Sequence, residues 1–428
     1  MAFIEKSDKY QKWKYVVNEL FILYSDGSQT NIPSHRVQSI TITHLYEQNL
    51  FPIFRVEVVL SSSTYYKILK NKNDVKFKLR IQKFYTDIDN TEKSLNRDFI
   101  NDTFDLILDD DDFDTEEALK KEQKELDYTN MTKKETESEE DLFQADNIME
   151  FFLFKSEYVN KLNTMVNAII SNATINDGIQ YIATNAGLNN LLMTIPHNRK
   201  IYNELVIPPL KIKQAIKFLD TYYGIYKTGM LFYCDMIENI TYLLDYSPKC
   251  TAYQTREMTE TNIMIPKKSN KFNSTLCSLY RRDNKETYFI IGDNQRITIR
   301  NETVSYNAYA DTDVKIVDTY DGNITTSNST ANVKDKKSVK IIENNTENPW
   351  FSDIYNSLIN GKNVVVEVPL ANYDIAAIAP NKAIKLIFED STLSLKYKGG
   401  CVISEISHAF VKEGEAFTLT SIAKLRLI

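Results

Sequence analysis

From Val75 to Gln82 the chain alternates without a break, with Val75, Phe77, Leu79 and Ile81 set against Lys76, Lys78, Arg80 and Gln82. Successive side chains of an extended strand point to opposite faces, whereas a helix would scatter these residues around its axis. The run therefore reads as a strand with one buried and one wet face. The same period returns at Phe54, Val56, Val58 and Leu60, and at Ile384, Leu386 and Phe388. It returns once more at Phe417, Leu419, Ala423, Leu425 and Leu427, where only Ser421 interrupts the apolar face. A chain with such strands at both ends must bury sheet faces at both ends. The fold class expected is mainly β.

The elements between follow from local signals. Asn18–Tyr24 and Val37–His44 read as strands, with a turn at Asp26-Gly27 between them, and Phe51-Pro52 introduces the strand Ile53–Leu60. Ser61 to Lys70 carries a cap candidate and a short helix. Ile148–Phe154 reads as a strand returning to the first sheet. Between Asp109 and Asp146 sixteen acidic residues meet five basic ones, so the acidity behind the net charge of -7 sits in one segment. Without the central glycine of a calcium loop, that segment reads as a solvated insertion.

The character changes after residue 158. Thr174 caps a helical pattern at Ile175, Ile179 and Ile182 that stops at Gly187, and Leu210–Gly224 repeats the plan behind Pro208-Pro209. Met230–Asp235 and Thr241–Asp245 read as a hairpin around Glu238-Asn239. Strands resume at Tyr288–Ile291 and Ile297–Arg300, and a loop is expected over 320–348. Pro349 opens a helical run that leads to the strand Asn363–Pro369, and turns fall at Pro380-Asn381-Lys382, after Phe388, at Gly399-Gly400 and at Gly414. We divide the chain into a β-barrel over 1–158 with the insertion 109–146, an α+β part over 159–250, and a second β-barrel region over 251–428. With 11 glycines against 26 tyrosines and 21 phenylalanines, many turns must be made by Asn and Asp.

No catalytic, cofactor-binding or metal-binding residue is assigned. His35, His44, His197 and His408 fall in no zinc-type spacing, and His44 and His408 read as strand-end packing residues. No phosphate-binding glycine loop occurs, and Cys234, Cys250, Cys277 and Cys401 lack metal spacing and read as reduced, buried thiols. No apolar stretch reaches the length of a membrane span, and no secretory leader is recognisable. The strip Lys76, Lys78 and Arg80 reads as a solvated outer face, with DNA or an acidic partner as the alternative.

Two stretches carry a family resemblance. The order Pro380-Asn-Lys turn, strand, Tyr397-Lys-Gly-Gly-Cys-Val-Ile, Ser407-His-Ala-Phe and a last strand ending in Leu425-Arg-Leu resembles the C-terminal barrel of the central baseplate hub of tailed phages and contractile injection systems. Residues 37–84, with Ser39-Ile-Thr-Ile-Thr-His, Phe51-Pro-Ile and Tyr65-Tyr-Lys-Ile, resemble its N-terminal barrel. The resemblance implies two small antiparallel barrels of the tail-tube type flanking a helix-containing domain. It also implies a structural virion protein without catalysis or cofactor, a ring-shaped homotrimer joining a threefold spike to a sixfold tail tube. Its partners would be a tube or tube-initiator protein on one side and a central spike on the other. There would be no small-molecule substrate and no membrane, and DNA would pass only as cargo. Assembly would occur in the host cytoplasm. Another baseplate or tube-initiator protein is the alternative within the class. A cell-wall-degrading or carbohydrate-binding tail protein is the alternative outside it.

Overall fold

The computed structural model describes residues 12–71, 74–86, 92–93, 98–107, 146–188, 190–227, 229–245, 260–267, 277–282, 286–292, 295, 297–301, 313–318, 324–328, 338–342, 347–350, 364–382, 384–397 and 400–427. The first part holds β1 (Lys12–Leu23), β2 (Gln29–Asn31), β3 (Val37–Leu45), β4 (Ile53–Ser61), helix α1 (Ser62–Lys70), β5 (Lys76–Thr86), β6 (Glu92–Lys93), β7 (Asp98–Leu106) and β8 (Asp146–Lys155). The middle part follows with α2 (Ser156–Asn163), β9 (Met165–Ala173), α3 (Ile175–Asn185), β10 (Leu191–Met193), β11 (Tyr202–Lys211), α4 (Ile212–Phe218), β12 (Met230–Asp235) and β13 (Ile240–Asp245). The last part holds β14 (Glu260–Ile265), β15 (Cys277–Arg282), β16 (Glu286–Ile291), β17 (Thr298–Asn301), β18 (Asp313–Asp318), β19 (Ile324–Asn328) and β20 (Ser338–Ile342). It ends with β21 (Val364–Ala371), β22 (Ile384–Phe388), α5 (Ser391–Lys396), β23 (Gly400–Glu413) and β24 (Ala416–Leu427). The fold is mainly β, and among the described residues most of the helix lies in the middle part. The acidic run to residue 145 and the helical run after Trp350 lie outside the described residues.

The strands of the first part close into a ring only with β23 and β24 of the last part. β23 pairs with β3, β3 with β4, β4 with β8, β8 with β7, β7 with β5, β5 with β1, β1 with β24, and β24 again with β23. All eight pairings are antiparallel, so no free edge remains around the circuit. The alternation read from the sequence places Phe54, Phe77 and Phe417 in the core, and Phe104 and Phe410 join them there, all fully buried. Phe54 and Phe104 have ring centroids 4.6 Å apart, and Tyr15 and Phe410 4.8 Å. A ring of eight strands has room for little beyond its own side chains, and here they fill it.

The basic strip lies on the outer face of β5 and is matched by acids from the strands beside it. Glu19 of β1 receives Lys78 at 3.5 Å and Arg80 at 3.1 Å, while Asp98 and Asp105 of β7 take Arg80 and Lys76 at 3.0 and 3.5 Å. Exposed pairs of this kind add little stability, but they neutralise the strip.

The last hairpin reaches beyond the ring. β24 pairs with β21 along Ala371–Val365, β21 pairs with β17, and the first residues of β23 pair with β22. β14 then joins β22 and β16 in parallel, departing from an all-antiparallel arrangement, and β16 carries β15. A parallel neighbour needs a crossover rather than a hairpin, and β14 lies far from both β16 and β22 along the chain. The ring and the second strand set are therefore one sheet.

Three local expectations change. The helix expected over Leu210–Gly224 begins only at Ile212, because β11 runs through Pro208 and Pro209 to Lys211. The prolines sit where the β9–β11 register shifts, between Ile207 and Leu210, a bulge that asks no ladder donor of them. In place of the loop expected over 320–348, β19 and β20 flank β18 in a three-stranded sheet. Where a turn was expected after Phe388, α5 forms because Asp390 accepts from the backbone N–H groups of Thr392 and Leu393 at 2.9 and 3.0 Å. The helix at Thr174 forms as read, with a reciprocal bond between Thr174 and Asp177.

Candidate functional site

The ring meets the second strand set at one side and the middle part at another, and both junctions concentrate polar groups. At the first, β23 changes partners. Residues 400–401 pair with β22 and residues 405–411 with β3, and the pairing with β24 slips between Ile403 and Glu405. Ser404 is the extra residue, a bulge that turns the strand as it passes from one strand set to the other. Its carbonyl accepts from Tyr46 N at 3.1 Å and its hydroxyl donates to Lys424 O at 3.2 Å.

Beside this bulge the interruption at Ser421 finds its reason. Tyr373 donates to Ser421 Oγ at 2.8 Å, and Ser421 Oγ lies 2.9 Å from His408 Nδ1, itself 3.1 Å from the Tyr373 hydroxyl. Burial, with His44 as neighbour, holds the His408 imidazole well below its usual range and keeps it neutral. Tyr15 reaches the same knot from β1, donating to Tyr373 O at 3.1 Å and accepting from Ile375 N at 3.2 Å. His44 packs on His408 with centroids 6.0 Å apart and stacks on Tyr46 at 5.2 Å; burial lowers its pKa to about 4. His44 lies near the end of β3, as read, whereas His408 falls in the middle of β23 rather than at a strand end, because β23 continues to Glu413 along β24.

Ser421 and His408 stand at the distance of a nucleophile and its base. They are 4% and 2% exposed, and the adjoining cavity holds only about 20 Å³. The space beside the pair is about that of a single water and too small for a substrate, so the geometry fits a structural role.

The second junction is open. Cys234 N donates to Leu50 O at 2.7 Å, and Tyr46 and Tyr233 pack edge to face at 4.9 Å. Next to them lies a cavity of about 400 Å³ between the turn after β3, the end of β8, the end of α2 and the start of α4. Leu50, Phe51, Phe154 and Leu162 line it with apolar surface, and Lys211, Lys213 and Lys217 with ammonium groups. Lys213 Nζ lies 3.5 Å from Tyr46 O and 3.4 Å from Phe232 O, and burial, then Lys217, pushes its pKa down to about 7. Glu47, at the rim, is engaged by Arg426 at 3.0 Å.

The other histidines stand apart. His35 lies in the turn before β3, where its carbonyl accepts from Lys412 at 2.6 Å, and His197 lies against Tyr226 and Trp350. Cys234 and Cys401 are buried free thiols; the side chains of Cys250 and Cys277 lie outside the described residues. Among the described residues no group of three or more His, Cys, Asp or Glu is placed to hold a metal, and no helix is long and apolar enough to cross a membrane.

Sequence comparison places the chain among phage proteins. It belongs to the family described as Bacteriophage PBS1 gene 109 protein, which matches residues 9–428. No curated protein matches it. Among solved structures it is similar to a tail protein from Neisseria meningitidis MC58, with 7% identity over 97% of this chain and 96% of that one and a TM-score of 0.45. It is likewise similar to the 43 kDa tail protein of prophage MuSo2 from Shewanella oneidensis, with 9% identity over 95% and 96% of the two chains and a TM-score of 0.47. A third is an E. coli component of the type VI secretion system, with 7% identity over 92% of this chain and 73% of that one and a TM-score of 0.39.

Proposed function

We propose that the chain is a structural protein of the phage tail, the central hub of the baseplate. Three copies form a ring in the virion, between the tail tube or its initiator and a central spike. The observation that carries this reading is the β23–β24 hairpin, whose strands run unbroken from the closed ring into the second strand set. A protein that joins threefold to sixfold symmetry needs two modules per chain held at a fixed angle, and a shared hairpin fixes that angle without a hinge. We take 1–158 and 251–428 as those modules, with the hairpin common to both, and 159–250 as the part between. Because side chains fill the eight-stranded ring, a bore for DNA must lie between copies. The function needs no catalytic residue and no cofactor.

Light scattering on the purified full chain, with negative-stain averages of the same sample, tests this. A mass of three chains and a ring with six lobes is expected. A monomer that clears peptidoglycan would replace the hub by a cell-wall hydrolase. An assembly of another order would favour a different baseplate or tube-initiator protein.

A further inference from the structure

Between β20 and β21 the last part of the chain touches the middle part through Glu347, Asn348 and Trp350. The receiving element is the end of α4, which finishes in one wide π-helical turn, Leu219–Tyr223, closed by Gly224 at a φ of +77°. The last carbonyls of a helix have no partner inside it. Here two of them are met from outside, because Asn348 Nδ2 donates to Asp220 O at 3.0 Å and to Thr221 O at 3.2 Å. Asn348 Oδ1 accepts from Trp350 N at 2.9 Å, an Asx turn over Pro349 that fixes the direction of the side chain. With Asn348 only 3% exposed, its amide is held out of water. A Cβ at Gly224 would stand 2.8 Å from Asn348 Cγ, so only a residue without one fits beneath it.

The contact continues on either side. Trp350 packs edge to face on His197 with centroids 6.3 Å apart, and Lys227 Nζ lies 5.5 Å from the centre of its ring. His197 N donates to Ile225 O at 3.0 Å and Lys227 N to His197 Nδ1 at 3.2 Å, so the surface that receives the indole is tied to the same turn. Glu347 pairs with Lys200 at 2.6 Å, an exposed pair that adds little. We propose that residues 347–350 are a strap by which the last part of the chain holds the middle part in place. Among the described residues the strands of the middle part pair only with one another, so no ladder fixes it to the ring. Its abutment there, through Tyr46, Tyr233 and the Cys234–Leu50 bond, leaves it free to turn unless a second attachment stops it. The strap is that attachment. It goes beyond the hub reading and holds wherever in the tail the chain sits.

Hydrogen exchange on the full chain tests this, since amide rates report local opening. In Asn348→Ala the amides of Gly224, Ile225 and Tyr226 should exchange at least tenfold faster than in the unaltered chain. The Cys234 amide, which bonds to Leu50 O across the abutment, should quicken with them. Thr194, whose amide bonds to Leu243 O within the middle part, and Val56 in the ring should keep their rates. Trp350→Ala should act in the same direction and less strongly; it leaves the Asn348 amide in place and decides the matter if Asn348→Ala does not fold. Faster exchange at 224–226 with Cys234 unchanged overturns the proposal, because Asn348 would then be a helix cap and nothing more. Unchanged rates at all four amides overturn it as well. Protection at 224–226 that rises with protein concentration in the unaltered chain would overturn a strap within one chain and assign the segment to a neighbouring copy.

Discussion

The two junctions of the ring are built on opposite plans. Where β23 and β24 cross into the second strand set, the space is closed by aromatic rings and by a hydroxyl, a hydroxyl and an imidazole that satisfy one another. Where the ring meets the middle part, the surfaces touch through Tyr46, Tyr233 and the Cys234–Leu50 bond and then part around a lysine-lined cavity. The difference follows from the chain. At the first junction two continuous strands cross, so backbone pairing leaves only side-chain space to fill. At the second, helix and turn abut, and no ladder draws them together. A crossing made by strands is closed and nearly dry, and one made by abutment leaves a cavity of about 400 Å³.

Emptying the dry junction has the largest expected effect. Phe410 lies on β23, fully buried, with Tyr15 at 4.8 Å and Phe99 at 6.0 Å. Phe410→Ala should cost about 3–5 kcal/mol in urea unfolding, the range for large core deletions. A loss below about 1 kcal/mol would mean that the junction is looser than its packing implies. Next comes the knot itself. Tyr373→Phe leaves Ser421 and His408 short of a partner and should cost about 1–3 kcal/mol, the penalty for an unsatisfied buried group. Adding Ser421→Ala should cost less than its own single effect, because the two hydroxyls satisfy each other; strict additivity would break the network reading.

Acid should reach the dry junction third. Burial holds the His44 pKa at about 4, against 6.5 when unfolded, and lowers that of His408 as well. Between these values the unfolded chain binds the proton and the folded chain does not. Stability present above pH 6.5 is therefore lost as pH falls toward 4. Asp220, pushed up to about 6 by burial, acts in the opposite sense, because the folded chain then holds the extra proton. Comparing melting temperatures of His44→Gln and the unaltered chain between pH 7 and 4.5 separates the two. The variant should lose less than the unaltered chain, and parallel curves would remove His44 from the account.

The sequence carried the strands of the dry junction and little of its network. The alternation placed Phe417 indoors and left Ser421 as a break in an apolar face, but what Ser421 meets, and the burial of Phe410, had no local signal. What alternation could not convey was that β23 serves two strand sets, because pairing partners at long range leave no local period. Nor did it reveal β19 and β20, whose Ser, Thr, Asn and Lys content reads as loop until β18 lies between them. The open junction had no signal at all. Lys213 is one lysine among several near Pro208-Pro209, and only the approach of Tyr46 and Phe232 from elsewhere in the chain partly buries it.

Lys213 therefore gives the smallest and sharpest test of the contrast. Its ammonium, taken partly out of water, is a cost to the fold. With a pKa of about 7 when folded and 10.5 when unfolded, the charged form is disfavoured by folding. Below pH 7 both states carry the proton and the cost is complete; as pH rises from 7 to 10.5 only the unfolded chain keeps it, and stability recovers. Lys213→Met keeps the length of the stem and removes the charge. It should be neutral or stabilising by about 1 kcal/mol, as replacements of buried charge by apolar side chains often are. The gain should be larger at pH 6 than at pH 9, read from urea midpoints at the two values. A destabilised variant would instead make the contacts of Nζ with Tyr46 O and Phe232 O the fastening of the second junction, and the two junctions would then differ in degree rather than in plan.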